Sequence, residues 1–327
     1  MNRVRRLQWI LRGGLGISRL KAMHAHDVKT GSVLKWSIAL MLALALAEAA
    51  AGYMANSLAL LSDAGHNFTD SLALVLAWFA LYVQSKPATE SKTYGYPRAG
   101  VLAAFVNALL LVAIALYVFY EAYHRLRTPH AVDPQWMMVV GGLGFVVDAG
   151  VSLALLRQIR GDVNVRTAFL HTAADAVSTA GIVVGGWLIA RTGVSEIDPL
   201  LGFLIGGLIL WSSVDIIKET LNILLEGLPR GMELDTVVTA VRRVEGVENV
   251  HDVHIWSLGS RTHAMSCHVA IADIPPSESN EILRRINALL DQEFQISHTT
   301  IQFEHAVCEP SPKCYDPAEP AAERKGA

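Results

Sequence analysis

The chain has 327 residues, a length of about two domains. Hydrophobic residues make up 52% and charged residues 17%, against roughly 25% charged in an ordinary soluble domain. A mean hydropathy of +0.35 and a net charge of −3 exclude a disordered chain, a fibrous repeat and a typical nucleic-acid binder. Three cysteines are too few for a disulfide scaffold.

The first segment, 1–32, is basic, with Arg3, Arg5, Arg6, Arg12, Arg19, Lys21 and Lys29. It reads as a topology signal with lipid contact rather than a nucleic-acid arm. His24 and His26 form at most a weak metal-gathering arm. Six apolar stretches follow, near 33–54, 57–83, 99–122, 135–157, 166–190 and 199–221. Each has the roughly 20 helical residues that a bilayer core of about 30 Å requires. The first lacks a small-residue cleavage site and more spans follow at once, so it reads as a true helix. The expected transmembrane domain is therefore a six-helix bundle over 33–225.

Lys and Arg in the short flanks set orientation. The second connection has Lys86, Lys92 and Arg98, and the fourth Arg157, Arg160 and Arg166. The first has none, the third Arg125 and Arg127, the fifth only Arg191. The even connections and both termini are expected in the cytoplasm. The compact length and short loops suggest the plasma (inner) membrane of a bacterium.

Residues 226–308 read as a small cytoplasmic α+β domain. Glu233–Arg243 has helical spacing, and Val247–Trp256 and Thr262–Ile271 alternate like strands. Pro276–Phe294 is helical, with Leu283, Ile286, Leu289 and Leu290 on one face, and Thr299–Phe303 alternates again. The order is αββαβ. Its core is small enough to need a partner surface. The tail, 309–327, rich in Pro, Ala and Glu, reads as flexible.

Ionisable residues inside apolar spans mark a site by default. The second span carries Asp63, His66 and Asp70, and the fifth His171 and Asp175. Both contain His-x-x-x-Asp, and in a helix i and i+4 share one face. Three crossings separate the motifs, so the two helices run in opposite directions and can bring two His and two Asp together. Two nitrogens and two carboxylate oxygens suit tetrahedral Zn²⁺, and two carboxylates neutralise one divalent cation. Emptying such a site leaves two buried anions, which couples metal to protons. A simple depth count places His171 nearer the cytoplasmic face than His66; helix tilt or an earlier start of the fifth helix closes that gap.

Other buried polar residues admit two readings. Asp63 either orients the His66 imidazole or sits exposed at the outer rim. Glu48 and Asn107 line a water path or make interhelical hydrogen bonds; Asp148 and Asp215 can do either. The glycine pairs 141–142, 185–186 and 206–207 point to close helix packing.

The run Asn56-Ser57-Leu58-Ala59-Leu60-Leu61-Ser62-Asp63-Ala64-Gly65-His66 leading to Asp70 resembles the cation diffusion facilitator family, zinc-exporting branch. Further matches are Tyr94-Gly95-Tyr96-Pro97-Arg98, Tyr120-Glu121-Ala122, Asn164-Val165, Leu221 to Gly227, His251-Asp252-Val253-His254-Ile255-Trp256 and Thr300-Ile301-Gln302-Phe303-Glu304. The likeness covers about residues 33–308. It implies six transmembrane helices, a ferredoxin- or metallochaperone-like cytoplasmic domain, a homodimer, and metal–proton antiport by alternating access. The family's transport ligands fall on His66, Asp70, His171 and Asp175, a composition that marks zinc-preferring members. A histidine site that some members carry between spans two and three falls here on Lys92 and Tyr96, so none is expected. Arg98 matches a basic residue that pairs with an acid after span six, for which Glu226 is the nearest acid.

The soluble domain of relatives often binds zinc at the dimer interface. The matching residues are His251, His268 and Glu304, but a relative's histidine falls on Gln302 here. His254, His298, His305, Cys308 and Cys314 are possible substitutes. The expected function is export of Zn²⁺ from the cytoplasm in exchange for protons, with Cd²⁺, Co²⁺ and Ni²⁺ as further candidates. An alternative is a metal-sensing membrane protein that acts through its cytoplasmic domain. A membrane zinc hydrolase is the third reading. It needs an open coordination position and a general base such as His-Glu-x-x-His, which the sequence lacks, so no enzyme is expected.

Overall fold

The computed structural model describes residues 38–156, 163–259 and 262–305. The basic N-terminal segment, Arg157, Arg160, Cys308, Cys314 and the tail lie outside these residues.

Among the described residues, six long helices come first: α1 (Ile38–Ala55), α2 (Leu58–Gln84), α3 (Ala99–Arg127), α4 (Pro134–Leu156), α5 (Val163–Thr192) and α6 (Ile197–Leu224). All except α2 are long and apolar enough to cross a membrane. With 27 residues, about 40 Å of helix, α2 is long enough as well. Asp63, His66, Asn67 and Asp70 lower its hydropathy. α5 starts three residues earlier than the expected 166, which sets His171 deeper along the helix.

Burial is inverted relative to a soluble protein. Trp78, Leu116, Val146 and Trp211 point outward, while Ser57, Ala59, Ser62, Ala108 and Ala115 are buried. Outward apolar side chains meet acyl tails, and small inward residues let helix backbones approach. The glycine pairs do this only in part. A Cβ on Gly186 would lie 2.9 Å from Met137, and one on Gly206 would lie 3.0 Å from Phe119. Gly142 and Gly207 face open space.

The chain divides into two compact units. One holds the described residues up to Val75 together with Ala113–Ile209. There the start of α2 is capped from another helix. The buried Asp198 of α6 accepts from Ser57 Oγ at 2.6 Å and from the backbone N–H of Leu58 at 2.7 Å and Ala59 at 3.2 Å. These are donors that a helix start leaves without intrahelical partners. Asn56 supports the turn with φ 53, a left-handed conformation that asparagine tolerates. Its carbonyl accepts from Arg125 Nη1 at 2.6 Å.

The other unit holds Leu76–Val112 and the described residues from Leu210 on. Its soluble part contains α7 (Leu234–Arg242), β1 (Asn249–Gly259), β2 (Thr262–Ala270), α8 (Pro276–Phe294) and β3 (Ile296–Glu304), the αββαβ order read from the sequence. The sheet order is β1-β2-β3, antiparallel then parallel. α8 has prolines at its start and a left-handed Gln295 at its end. It buries Ile282, Ile286 and Leu290 at i, i+4 and i+8; Leu283 and Leu289 flank this stripe and are half-buried. β3 begins three residues before the expected 299, because the buried Ile296 pairs with His263 across polar Ser297 and His298.

Ile286→Ala should destabilise this domain by about 2–5 kcal/mol, because the side chain is fully buried in its core. Hydrogen exchange on the full chain should show faster amides across α7, α8 and the sheet. Unchanged exchange there would remove Ile286 from the core.

Candidate metal centres

His66 and Asp70 stand one turn apart on α2, and His171 and Asp175 one turn apart on α5. Their ligand atoms all lie within 4.8 Å of one another. His66 Nε2 is 3.2 Å from Asp175 Oδ1 and 3.7 Å from Asp70 Oδ2. His171 Nε2 is 3.0 Å from Asp70 Oδ2 and 3.7 Å from Asp175 Oδ2. Each imidazole therefore faces both carboxylates. A tetrahedral Zn²⁺ with bonds of about 2.0–2.1 Å separates its ligand atoms by about 3.3 Å. The four His–Asp approaches, 3.0–3.7 Å, bracket that edge. The rings of His66 and His171 meet edge-on, with centroids 5.8 Å apart. His171 is 51% exposed against 16% for His66, so the cluster opens on the His171 side.

The surroundings decide between several of the open readings. Asp63 is 3% exposed, so it is not at an open rim. It does not hold the His66 ring either, because Nδ1 of His66 is buried without a hydrogen-bond partner among the described residues. Glu48 makes an interhelical hydrogen bond, accepting from Asn67 Nδ2 at 2.7 Å. Thr179 Oγ1 donates to the Asp175 carbonyl at 3.0 Å and lies 3.5 Å from Asp148 Oδ2. In the other unit, Asp215 is exposed and pairs with Arg230 at 3.5 Å, while Asn107 Oδ1 is buried without a hydrogen-bond partner among the described residues.

Arg98 Nη2 pairs with Glu226 Oε1 at 3.2 Å and donates to the Ser257 carbonyl at 3.3 Å. Gly95, in the same motif, has φ +73, a conformation that favours glycine.

A second cluster lies on the soluble domain. Strand register places His251 opposite His268, and His268 opposite Gln302. Cys267 and Val269 point into the core, so His268 lies on the other face. His268 Nδ1 is 2.9 Å from Glu304 Oε1, and His251 Nε2 is 3.2 Å from Glu304 Oε2. That second pair is close but not aligned as a hydrogen bond, which leaves two buried polar atoms that a cation would satisfy. Gln302 donates to Glu304 Oε1 at 2.9 Å.

Of the possible substitutes, His254 bonds Asp252 at 2.8 Å and His298 packs edge-on against Tyr94. Burial pushes the Cys267 thiol up to about 12, so it offers no thiolate at neutral pH.

Two residues here carry no local signal. Asp252 has φ 49 at a β-bulge between His251 and His254, which turns its carboxylate to 3.5 Å from His268. Asp198 stands just before Pro199, outside the expected sixth span, and its partners are about 140 positions away.

Residues 34–225 match the cation efflux transmembrane domain, and residues 229–306 match the cytoplasmic domain of cation efflux proteins. The metal cation efflux system protein CzcD of Cupriavidus metallidurans is 37% identical over 88% of this chain and 92% of its own. A cadmium, cobalt and zinc/H(+)-K(+) antiporter of Bacillus subtilis is 36% identical over 83% of this chain and 88% of its own. The zinc transporter ZitB of Shigella flexneri is 37% identical over 83% of this chain and 86% of its own. With both modules matched and these relatives aligned across most of their length, the chain belongs to the cation efflux, or cation diffusion facilitator, family of metal-cation transporters.

Proposed function

We propose that the protein exports Zn²⁺ from the cytoplasm in exchange for protons, through His66, Asp70, His171 and Asp175. The observation that carries this reading is the cluster of two imidazoles and two carboxylates, with His–Asp approaches of 3.0–3.7 Å and one ligand atom from each residue within 4.8 Å of the others. Metal binds the inward-facing site, the helices rock, and the site opens outward. Protons then compete for the ligands and release the metal. Imidazole suits this exchange because its ordinary pKa of about 6.5 lies near working pH. The donor set disfavours Mg²⁺, Ca²⁺ and Mn²⁺ and leaves Cd²⁺, Co²⁺ and Ni²⁺ as competitors. The names of the relatives support zinc among these metals and antiport as the mode.

In this reading the protein is a homodimer in the plasma membrane of a bacterium, with both termini cytoplasmic. Its soluble domain holds a further Zn²⁺ on His251, His268 and Glu304. Protein reconstituted in sealed vesicles with a zinc dye and an imposed pH gradient tests the proposal. Gradient-driven zinc movement is expected. Zinc binding without transport would favour the metal-sensing alternative.

His251→Ala combined with His268→Ala should lower the zinc bound per chain by the soluble-domain equivalent, because only Glu304 remains there. Transport should weaken but persist. Complete loss of transport in a folded variant would place this domain on the transport path.

His66→Asp should broaden metal choice, because a hard oxygen replaces a nitrogen donor that favours zinc. Competition of Cd²⁺ against Zn²⁺ transport reads this out. An active variant with an unchanged metal ranking would mean that His66 is not a ligand.

A further inference from the structure

A cavity of about 770 Å³ opens in the unit that contains the soluble domain. Its volume falls within the roughly 300–1,000 Å³ of small-molecule sites. One wall is the end of α2 and the start of α3, including Phe79, Leu102 and Val106. These three are apolar and 56%, 54% and 42% exposed, on helices read as spanning the membrane. A wall of this kind suits acyl chains. Trp256 and Leu258 of β1 close it on the soluble side.

The polar end lies in the connection after α2. Lys92 and Arg98 line it together with Glu226, so two cations face one carboxylate. Arg98 already spends Nη2 on Glu226 and Ser257. The Lys92 ammonium has no carboxylate partner among the described residues. One positive charge is left over at the mouth of an apolar cavity. Tyr94, Tyr96 and Trp256 surround this end, the residue types that settle at headgroup level.

We propose that this cavity binds one anionic phospholipid, its acyl chain along α2 and α3 and its phosphate at Lys92 and Arg98. The apolar depth argues against free phosphate. The surplus positive charge argues against a lipid of zero net charge. The lipid bridges the membrane helices and the first strand of the soluble domain.

Native mass spectrometry of the full-length protein in detergent tests this, with phosphatidylglycerol and phosphatidylethanolamine of matched chains. One tightly held phosphatidylglycerol per chain is expected, favoured about tenfold, which corresponds to about 1.4 kcal/mol. Lys92→Glu should abolish that preference. Ala103→Trp, which fills the cavity from the α3 wall, should remove both lipids. Arg127→Glu, at the far end of α3, should change neither.

Equal binding of the two lipids by the wild type, or an unchanged preference in Lys92→Glu, would overturn the proposal. A changed monomer–dimer ratio in Ala103→Trp with lipid retained would assign the cavity to a second copy of the chain. Should Ala103→Trp fail to fold, a photoactivatable phosphatidylglycerol on the wild type decides. Adducts on α2 and α3 beside the cavity are expected, and adducts only elsewhere would refute the site.

Discussion

Asp70→Ala is expected to reduce proton-driven zinc transport in vesicles by more than about 100-fold, because loss of an outer partner alone costs 10–100-fold in metal sites. Asp70 Oδ2 lies close to both imidazoles, at 3.7 and 3.0 Å. Removing it takes away a ligand and half of the negative charge opposite a divalent ion. Asp70→Asn keeps the shape and loses the charge, so it separates ligation from packing. It should fail almost as badly as alanine. The melting temperature should stay close to wild type in both, since Asp70 is partly exposed and caps no helix. Vesicles carrying Asp70→Asn that load zinc at the normal rate would defeat the four-ligand reading.

Asp198→Ala should be the most damaging change to stability, at about 3–5 kcal/mol, the cost of breaking a buried charge pair from one side. Asp198 is fully buried and accepts three hydrogen bonds at the start of α2. Arg125 Nη1 lies 3.9 Å from its Oδ2, so truncation also leaves a largely buried guanidinium less well matched. A fall in melting temperature on the order of 10 °C is expected, at about 2–4 °C per kcal/mol for a chain of this size class. Asp198→Asn keeps an acceptor oxygen and should fall between the two. An alanine variant that melts with the wild type would show that the cap is not a stabilising contact. Because α2 carries His66 and Asp70, a loosened start should also weaken zinc transport in the surviving folded fraction.

The soluble domain shows where local reading stops. Val237, Val238 and Val241, and the α8 stripe, have the spacing of a helix with one buried face, so α7 and α8 were visible as periodicity. The apolar alternation marks only the later part of β3, because the outward Ser297 and His298 break a signal that its paired backbone does not need. For His251, His268 and Glu304 only the family resemblance, not local spacing, points to a shared site. Their meeting depends on register, since a slip of one residue would turn His268 into the core. Asp252 joins that face only through a bulge with positive φ, and no spacing rule announces a bulge.

What the sequence determined alone is what a short window of chain can enforce. The bilayer sets the length of each apolar span, and 3.6 residues per turn set His66 with Asp70 and His171 with Asp175 on single faces. Tertiary structure decided how those faces meet: the crossed 3.0 and 3.2 Å approaches between α2 and α5, the cap from Asp198, and the hydrogen bond from Asn67 to Glu48. These pairs lie 19 to 141 positions apart. Hydropathy and periodicity decay over a few turns, whereas a buried donor takes whichever acceptor packing delivers, and burial makes leaving it unpaired costly.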